Sequence, residues 1–325
     1  MKNKYICNFR INLKKSVEFL PSQSSGAASL RSPRKIGFNR RIRIKAGLLG
    51  GPLNKSMSPL LFKLFSGVTG EDYDYALKEN RGRGLENLLK LIKKEGWAGF
   101  NVTLPLKGKI IPLLTSMTPE ARAVGAVNAV RINGEKLIGH NTDAEAFLYA
   151  LRGLKATVKG RVCAVWGSGG AARAALWALA VKGARELHIH ARSSVRARIL
   201  SRHFKKIFPE TVFKVKDFGA PPDQAAAVFV NATPLGMYKP LNRALKFHGP
   251  AGALYCDFAY SRGLTPFLKN KPGVKINGLD LLALQAVKTL EFWTGKRFTA
   301  REIGRLRNTL PVTAPAQCRS DGHGP

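Results

Sequence analysis

The amino-acid sequence predicts an α/β protein of two domains, and three observations carry that prediction. Short apolar runs alternate with helix-like stretches from residue 44 to about residue 310. A glycine-rich turn sits mid-chain between a strand pattern and a helix pattern. The 325 residues are 45% hydrophobic, enough for two cores of ordinary size. The longest apolar runs, Ala174 to Val181 and Leu279 to Val287, fall short of a membrane-spanning length, so a soluble protein without membrane association is expected.

The elements follow in chain order. Residues 1–43 are rich in Lys, Arg and Ser with Glu18 as their one acid, and they lack the apolar segment of a secretory signal. That composition fits an organelle transit peptide, a disordered basic extension or an unused upstream start; the cytoplasm is the default location, with organelle targeting as the alternative. From "IKAGLLGG" a β-α-β rhythm begins. "EDYDYAL" reads as a strand, "LENLLKLIKKEG" as a helix stopped at Gly96, and "WAGFNVT" as the next strand, which together imply a mainly parallel sheet. The Lys and Gly residues of "LRGLKATVKG" mark a boundary near residue 157. Beyond it come "RVCAVW" as a buried strand, "GSGGAARAALWALAVKGA" as a turn and helix, and "ELHIHAR" as a second strand. The tail 311–325 is Pro, Gly and polar, and disorder is expected there.

The charge is unusual. Fifty-four Lys and Arg against 20 Asp and Glu give a formal net charge of +34, which favours anionic ligands in general. No zinc-finger, ribonucleoprotein or basic-zipper pattern accompanies it, so no specific nucleic-acid recognition is expected. Cys7, Cys163, Cys256 and Cys318 lie far apart without metal-ligand spacing; no metal is expected, and Cys163 and Cys256 read as buried thiols.

Gly167, Gly169 and Ala172 fit G-x-G-x-x-A between a predicted strand and a predicted helix. The first glycine permits a tight turn, the second lets backbone approach a pyrophosphate, and the small third residue lets helix and strand pack closely. The helix N-terminus then presents N–H groups to phosphate. An acid at the end of the following strand would select NAD, and none is present. Arg192, Ser193 and Arg196 stand there instead and suit a 2′-phosphate, so the expected cofactor is NADP. In the first half, Ser56 and Ser58 precede a helix start at Pro59 and make either an anion site or an N-cap. Asn128 lies at a strand, and Asp143 precedes a helix, where an N-cap is the plain reading. Lys107, in "NVTLPLK", is either a solvated charge or an acid held for chemistry.

Taken in order, "NKSMSP", "NVTLPLK", "GAVNA", "GHNTD", "GSGGAAR", "NATPLGM", "DFAYSRGLTPFL" and "NGLDLLALQA" resemble the shikimate dehydrogenase family across residues 44 to 310. The resemblance implies NADP-dependent, reversible reduction of 3-dehydroshikimate to shikimate on the route to chorismate and the aromatic amino acids. It implies an N-terminal substrate-binding domain, residues 44–156, completed by C-terminal helices over about 279–310, and a Rossmann domain, residues 157–278, with a cleft between them. Lys107 and Asp143 match the catalytic pair. Ser56 and Ser58 match the serines that hold the substrate carboxylate, and Thr103, Asn128, Tyr260 and Gln285 match further substrate contacts. Gly167, Ser168, Gly169, Gly170 and Ala171 match the phosphate loop; Arg192, Ser193 and Arg196 match the adenosine-phosphate grip; Asn231, Thr233 and Met237 border the cofactor in the family. The small-molecule substrate is the one partner implied, in a monomer or homodimer.

Some positions depart from the family pattern. Ala144, Glu145 and Ala146 stand where glycines are common after "NTD", Asp280 replaces a glycine, Leu281 a methionine and Ala191 an asparagine. A carboxylate facing an anionic substrate would repel it, so Asp280 is expected to face solvent or a basic partner. Two alternatives accompany the leading reading: a quinate/shikimate dehydrogenase of broader specificity, and a non-catalytic cofactor- or nucleic-acid-binding relative.

Overall fold

The computed structural model describes residues 43–308 apart from 153, 155–157, 238–244, 246, 248 and 262. The basic leader up to residue 42, the tail, the boundary at residue 157, Cys7 and Cys318 lie outside the described residues.

The first half folds around a six-stranded sheet of β1 (Arg43–Gly50), β2 (Asp72–Glu79), β3 (Gly99–Val102), β4 (Ser116–Met117), β5 (Ala129–Asn133) and β6 (Lys136–His140). The spatial order is β2-β1-β3-β5-β6-β4. β1 runs parallel to β2 and β3, but β5 pairs antiparallel with both β3 and β6. β4 also runs parallel to β6, so the sheet is mainly parallel, as the sequence rhythm suggests, and its antiparallel pairing lies at β5. The cause is local: β5 and β6 are joined by Gly134 and Glu135, with Gly134 at φ 57°, and so short a connection admits only a hairpin.

Helices α1 (Ser58–Thr69) and α2 (Leu85–Lys94) cross over between the parallel strands. α2 buries Leu85, Leu89 and Ile92 at helical spacing and ends before Gly96, which takes φ 72°. Three short helices follow in chain order: α3 (Leu106–Lys109), α4 (Pro119–Val124) and α5 (Thr142–Ala150).

The second half is a parallel six-stranded sheet of β7 (Val162–Trp166), β8 (Glu186–Ala191), β9 (Val212–Asp217), β10 (Val228–Asn231), β11 (Leu254–Asp257) and β12 (Val274–Ile276). Its order, β9-β8-β7-β10-β11-β12, reverses direction between β7 and β10. That switch point at the carboxyl ends of the strands is where doubly wound sheets hold ligands. β7, β10 and β11 are buried at every residue, as expected for central parallel strands. Cys163 and Cys256 are buried and free. Helices α6 (Gly170–Val181) and α7 (Ser194–Ile207) follow β7 and β8.

After β12 the chain returns to the first sheet through α8 (Gly278–Thr294) and α9 (Ala300–Asn308). The Trp293 indole donates to the Val130 carbonyl at 2.9 Å, and the Asn101 amide donates to Thr289 Oγ1 at 3.0 Å. One apolar cluster joins the halves: Val124, Ala144, Phe147 and Leu151 pack with Ala172, Ala175, Leu176 and Leu179 of α6. Ala146, on the other flank of α5, packs with Ala283, Ala286 and Val287 of α8. The alanines after Asp143 thus let α5 lie between two helices. Among the described residues no helix is long and apolar enough to cross a membrane.

Asp257, at the end of β11, is fully buried. Its Oδ1 accepts from Asn231 Nδ2 at 2.8 Å and the Ala259 N–H at 2.9 Å, and its Oδ2 accepts from Thr265 Oγ1 at 2.5 Å. Burial pushes its pKa up to about 7, against the lowering effect of Thr265, Ala259 and Asn231.

Two outcomes follow from this packing. Phe147→Ala leaves a cavity in the core shared by both halves and should cost about 3–5 kcal/mol of stability, read from urea unfolding. Because the folded-state pKa of Asp257 lies above its unfolded value, the folded state keeps a proton that the unfolded chain loses. Stability contributed by this group is therefore full below about pH 4, falls as pH rises to about 7 and is flat beyond. Asp257→Asn, which mimics the protonated acid, should flatten that slope and be the more stable protein at pH 8; an unchanged slope would contradict the assignment.

Candidate active site

A cavity of about 580 Å³ opens between the carboxyl ends of the two sheets. Residues from both halves line it. Of the positions singled out in the sequence, Ser56, Ser58, Thr103, Lys107, Asn128, Asp143, Tyr260 and Gln285 reach it from the substrate side. Gly167, Ser168, Gly169, Gly170, Ala171, Arg192, Ser193, Arg196, Thr233 and Met237 reach it from the nucleotide side.

Lys107 sits on the single turn of α3, immediately after Leu106, which is fully buried and anchors that turn in the core of the first sheet. Its carbonyl accepts the Val127 N–H at 2.9 Å, tying the turn to the segment that enters β5. Its ammonium meets Asp143 Oδ2 at 2.5 Å, with both side chains about six-sevenths covered, at 16% and 14% exposure. Lys107 is therefore no solvated surface charge.

Asp143 does not cap its helix. Asn141 takes that position, its side-chain oxygen accepting the Ala144 N–H at 2.9 Å while its amide donates to the Ala126 carbonyl at 2.8 Å. With the cap supplied by Asn141, the Asp143 carboxylate is available to Lys107 in the first helical turn, where a negative charge is also favoured.

The cavity floor is a continuous hydrogen-bonded web. Asn128 accepts the Thr142 N–H at 2.7 Å and donates to Thr142 Oγ1 at 3.0 Å. Thr142 Oγ1 lies 3.2 Å from Thr289 Oγ1 and 3.5 Å from Gln285 Oε1. Asn101, also a lining residue, accepts from the Tyr75 hydroxyl at 2.9 Å and donates to the Asn128 carbonyl at 3.1 Å. Tyr75 stacks on Phe62 at 4.2 Å, and burial, opposed by a hydrogen bond with Ser58, drives its phenol pKa far upward, so it stays a neutral donor.

Ser56 and Ser58 flank the start of α1, whose N-cap is Met57 and whose first turn has no side-chain cap. The Ser58 N–H donates to Ser56 Oγ at 3.3 Å. The hydroxyls thus border a helix N-terminus whose cap, Met57, makes no side-chain hydrogen bond, an arrangement suited to a carboxylate.

On the nucleotide side, Gly167 takes φ 120°, and a Cβ there would stand 2.8 Å from the Ala232 carbonyl oxygen. This turn needs glycine for both conformation and space. Gly169, the N-cap of α6, has no atom within 4 Å of where its Cβ would be. The turn and the α6 N-terminus therefore offer open backbone to a pyrophosphate. Ser193 caps α7 by accepting the Arg196 N–H at 3.3 Å, which leaves its own O–H to donate. These features fit a dinucleotide carrying an extra phosphate.

Asn231 departs from expectation. It is 1% exposed, does not line the cavity, and shapes the loop beneath it: its amide donates to the Leu235 carbonyl at 3.1 Å, and its oxygen accepts from Thr233 Oγ1 at 2.6 Å. Asp280 turns away from the cavity to Arg307 of α9, Oδ1 to Nε 2.8 Å, a basic partner as its charge requires. Glu145 likewise faces outward to His140 Nε2 at 3.2 Å, and its carboxyl lies below the usual range: burial acts to raise it, and His140, Lys288 and Arg297 together outweigh that.

Sequence reading missed Asn101, Lys55 and Phe218, all of them in the lining. Asn101 opens the "NVTLPLK" run and was within reach; nothing local marks Phe218. The lining carries the cations Lys55, Lys107, Arg192 and Arg196 against the single acid Asp143. Among the described residues no cluster of His, Cys, Asp or Glu suits a metal ion.

Comparison with known proteins agrees with this geometry. Residues 48–130 match the family described as shikimate dehydrogenase substrate binding domain. An NADP(+)-dependent shikimate dehydrogenase of Geobacter metallireducens is 36% identical over 259 residues, covering 77% of this chain and 90% of that protein. The crystal structure of shikimate 5-dehydrogenase from Thermus thermophilus with NADP(H) and shikimate superposes with a TM-score of 0.70 at 28% identity, over 82% of this chain and 100% of that one. Quinate dehydrogenase from Corynebacterium glutamicum with NAD gives a TM-score of 0.71 at 26% identity, over 83% of this chain and 99% of that one. With motif order, fold and sequence agreeing over most of its length, the chain belongs to the shikimate dehydrogenase family.

Proposed function

We propose that this protein catalyses the NADP-dependent, reversible reduction of 3-dehydroshikimate to shikimate, a step of chorismate and aromatic amino acid biosynthesis. The observation that carries the reading is the Lys107–Asp143 pair at 2.5 Å in the same cavity as the α6 glycine turn and Arg192 and Arg196. The positive balance of the lining suits a substrate carboxylate at one end and phosphates at the other.

NADPH, when bound, supplies the hydride. The chain's own residues do the rest. As the carbonyl of 3-dehydroshikimate becomes an alcohol, negative charge develops on its oxygen; the Lys107 ammonium stabilises that charge and delivers the proton, while Asp143 orients the ammonium. In the reverse direction the neutral amine accepts the proton. Ser56 and Ser58 receive the carboxylate, Thr103, Asn128, Gln285 and Tyr260 bear on the remaining oxygens and the ring, and Arg192, Ser193 and Arg196 grip the 2′-phosphate. The substrate-binding domain comprises residues 44–156 and about 279–310, and the nucleotide domain residues 157–278, a division supported by the two sheets and by the return of α8 to the first.

Loss of NADPH absorbance with 3-dehydroshikimate tests the reaction, run beside NADH and beside quinate with each oxidised cofactor. Robust turnover with NADPH is expected; preference for quinate and NAD would shift the assignment to a quinate dehydrogenase. Lys107→Ala should lower kcat about 10²- to 10⁴-fold with an unchanged circular dichroism spectrum. Arg192→Ala should raise KM for NADPH about tenfold or more while leaving KM for NADH nearly unaltered, because the lost contact is a charge-assisted one to the 2′-phosphate.

A further inference from the structure

The three glycines of the turn before α6 are present for three different reasons. Gly167 is required by its φ of 120° and by the Ala232 carbonyl. Gly169 has extended backbone, φ −93° and ψ −166°, which any residue adopts, and open space where its Cβ would be; only a bound phosphate would object to a side chain there. Gly170 fits neither case. It begins α6 without a left-handed φ, so its conformation does not call for glycine. Its missing Cβ would lie 2.8 Å from Lys107 Cδ, 3.4 Å from Lys107 Cβ and 3.6 Å from Lys107 Cγ.

Resting on the proposed role of Lys107, we infer that Gly170 is a positioning residue: its bare Cα is the surface along which the Lys107 stem lies, so the turn that receives the pyrophosphate also sets the reach of the acid. Lys107 is then fixed at three points. Its carbonyl holds Val127, its ammonium holds Asp143, and its methylenes lie on Gly170. The neighbouring turn of α6 reinforces the same seam, since Arg173 donates to the Val124 carbonyl at 3.4 Å, three residues before Val127. His203 of α7 adds a 2.8 Å bond to the Ala123 carbonyl. Both bonds join the helices of the second half to the segment that leads to Val127.

A Cβ at 170 would force the Cδ of Lys107 aside. The lysine stem is flexible, so the fold absorbs this cheaply, and the displacement passes to the ammonium. Misplacing a reacting group by about 1 Å can cost about 10²-fold in the chemical step. Gly170→Ala should thus separate kcat from cofactor affinity, and Gly169→Ala should do the reverse.

The experiment measures three quantities on the full-length protein: kcat with 3-dehydroshikimate, NADPH affinity by fluorescence titration without substrate, and Tm. For Gly170→Ala, kcat should fall about tenfold or more with NADPH Kd within about twofold. Gly169→Ala should weaken NADPH binding by the larger factor. Relative to its own parent, Gly170→Ala should give a higher Tm in a Lys107→Ala background, where only the Cβ contact at 3.4 Å remains, than in the unaltered protein, where the stem has to move. An unchanged kcat in Gly170→Ala, a kcat loss matched by an equal loss of NADPH affinity, or the same Tm change in both backgrounds would overturn the inference. If the unaltered protein is inactive with 3-dehydroshikimate, the functional reading fails, and the Tm comparison still decides the contact.

Discussion

The structure depends on the burial of α5 between α6 and α8. Its first turn carries Asp143, its one flank puts Ala144 and Phe147 against α6, and its other flank puts Ala146 against α8. Small side chains at 144 and 146 make that double packing possible, because helices approach closely only where side chains are short. The geometry of the Lys107–Asp143 pair is a by-product of this placement. With α5 fixed, Asp143 meets Lys107, and α6 arrives with its glycine turn facing the same space. A site assembled from two sheets is thereby set by one helix in a common core.

Polar chemistry is layered outside that core. Directly beneath the cavity, Thr142, Thr289, Asn101 and Asn128 satisfy one another, so buried polar groups hold position without unpaired cost. Farther out, charges are matched in pairs such as Asp280 with Arg307 and Glu291 with Lys288 at 2.7 Å. The acids that the family pattern does not anticipate, Glu145 and Asp280, both lie in this outer layer and leave the cavity positive.

Much of this was legible in the sequence where the cause is local. The strand, glycine turn and alanine-rich helix from Val162 to Val181 follow from apolar runs and the conformational freedom of Gly167. Lys107 was ambiguous on its own residues, and motif order pointed to Asp143, the partner it meets. What escaped reading depends on partners distant in sequence. Asn101 meets Thr289 across 188 positions, Phe218 reaches the lining from the end of an exposed edge strand, and Asn231 points to Asp257 instead of the cavity. The cap role of Asn141 was hidden for a different reason: Asn141 and Asp143 are both able caps two residues apart, and only the bond to Ala144 distinguishes them.

The web of Asn101, Asn128, Thr142 and Thr289 also bears on stereochemical discrimination. The Asn101 amide already makes three bonds, to Tyr75, Asn128 and Thr289, so its orientation is determined before any ligand arrives. Asn128 and Gln285 are coupled to it through shared hydroxyls. The threonine hydroxyls can rotate, but the Asn101 amide is held by all three bonds, so a ring hydroxyl presented with the wrong hand that leaves a buried donor or acceptor unpartnered carries a penalty of about 1–3 kcal/mol. A floor oriented in advance thus sets a preference of handedness between ring isomers of the same charge and nearly the same volume, and not of size.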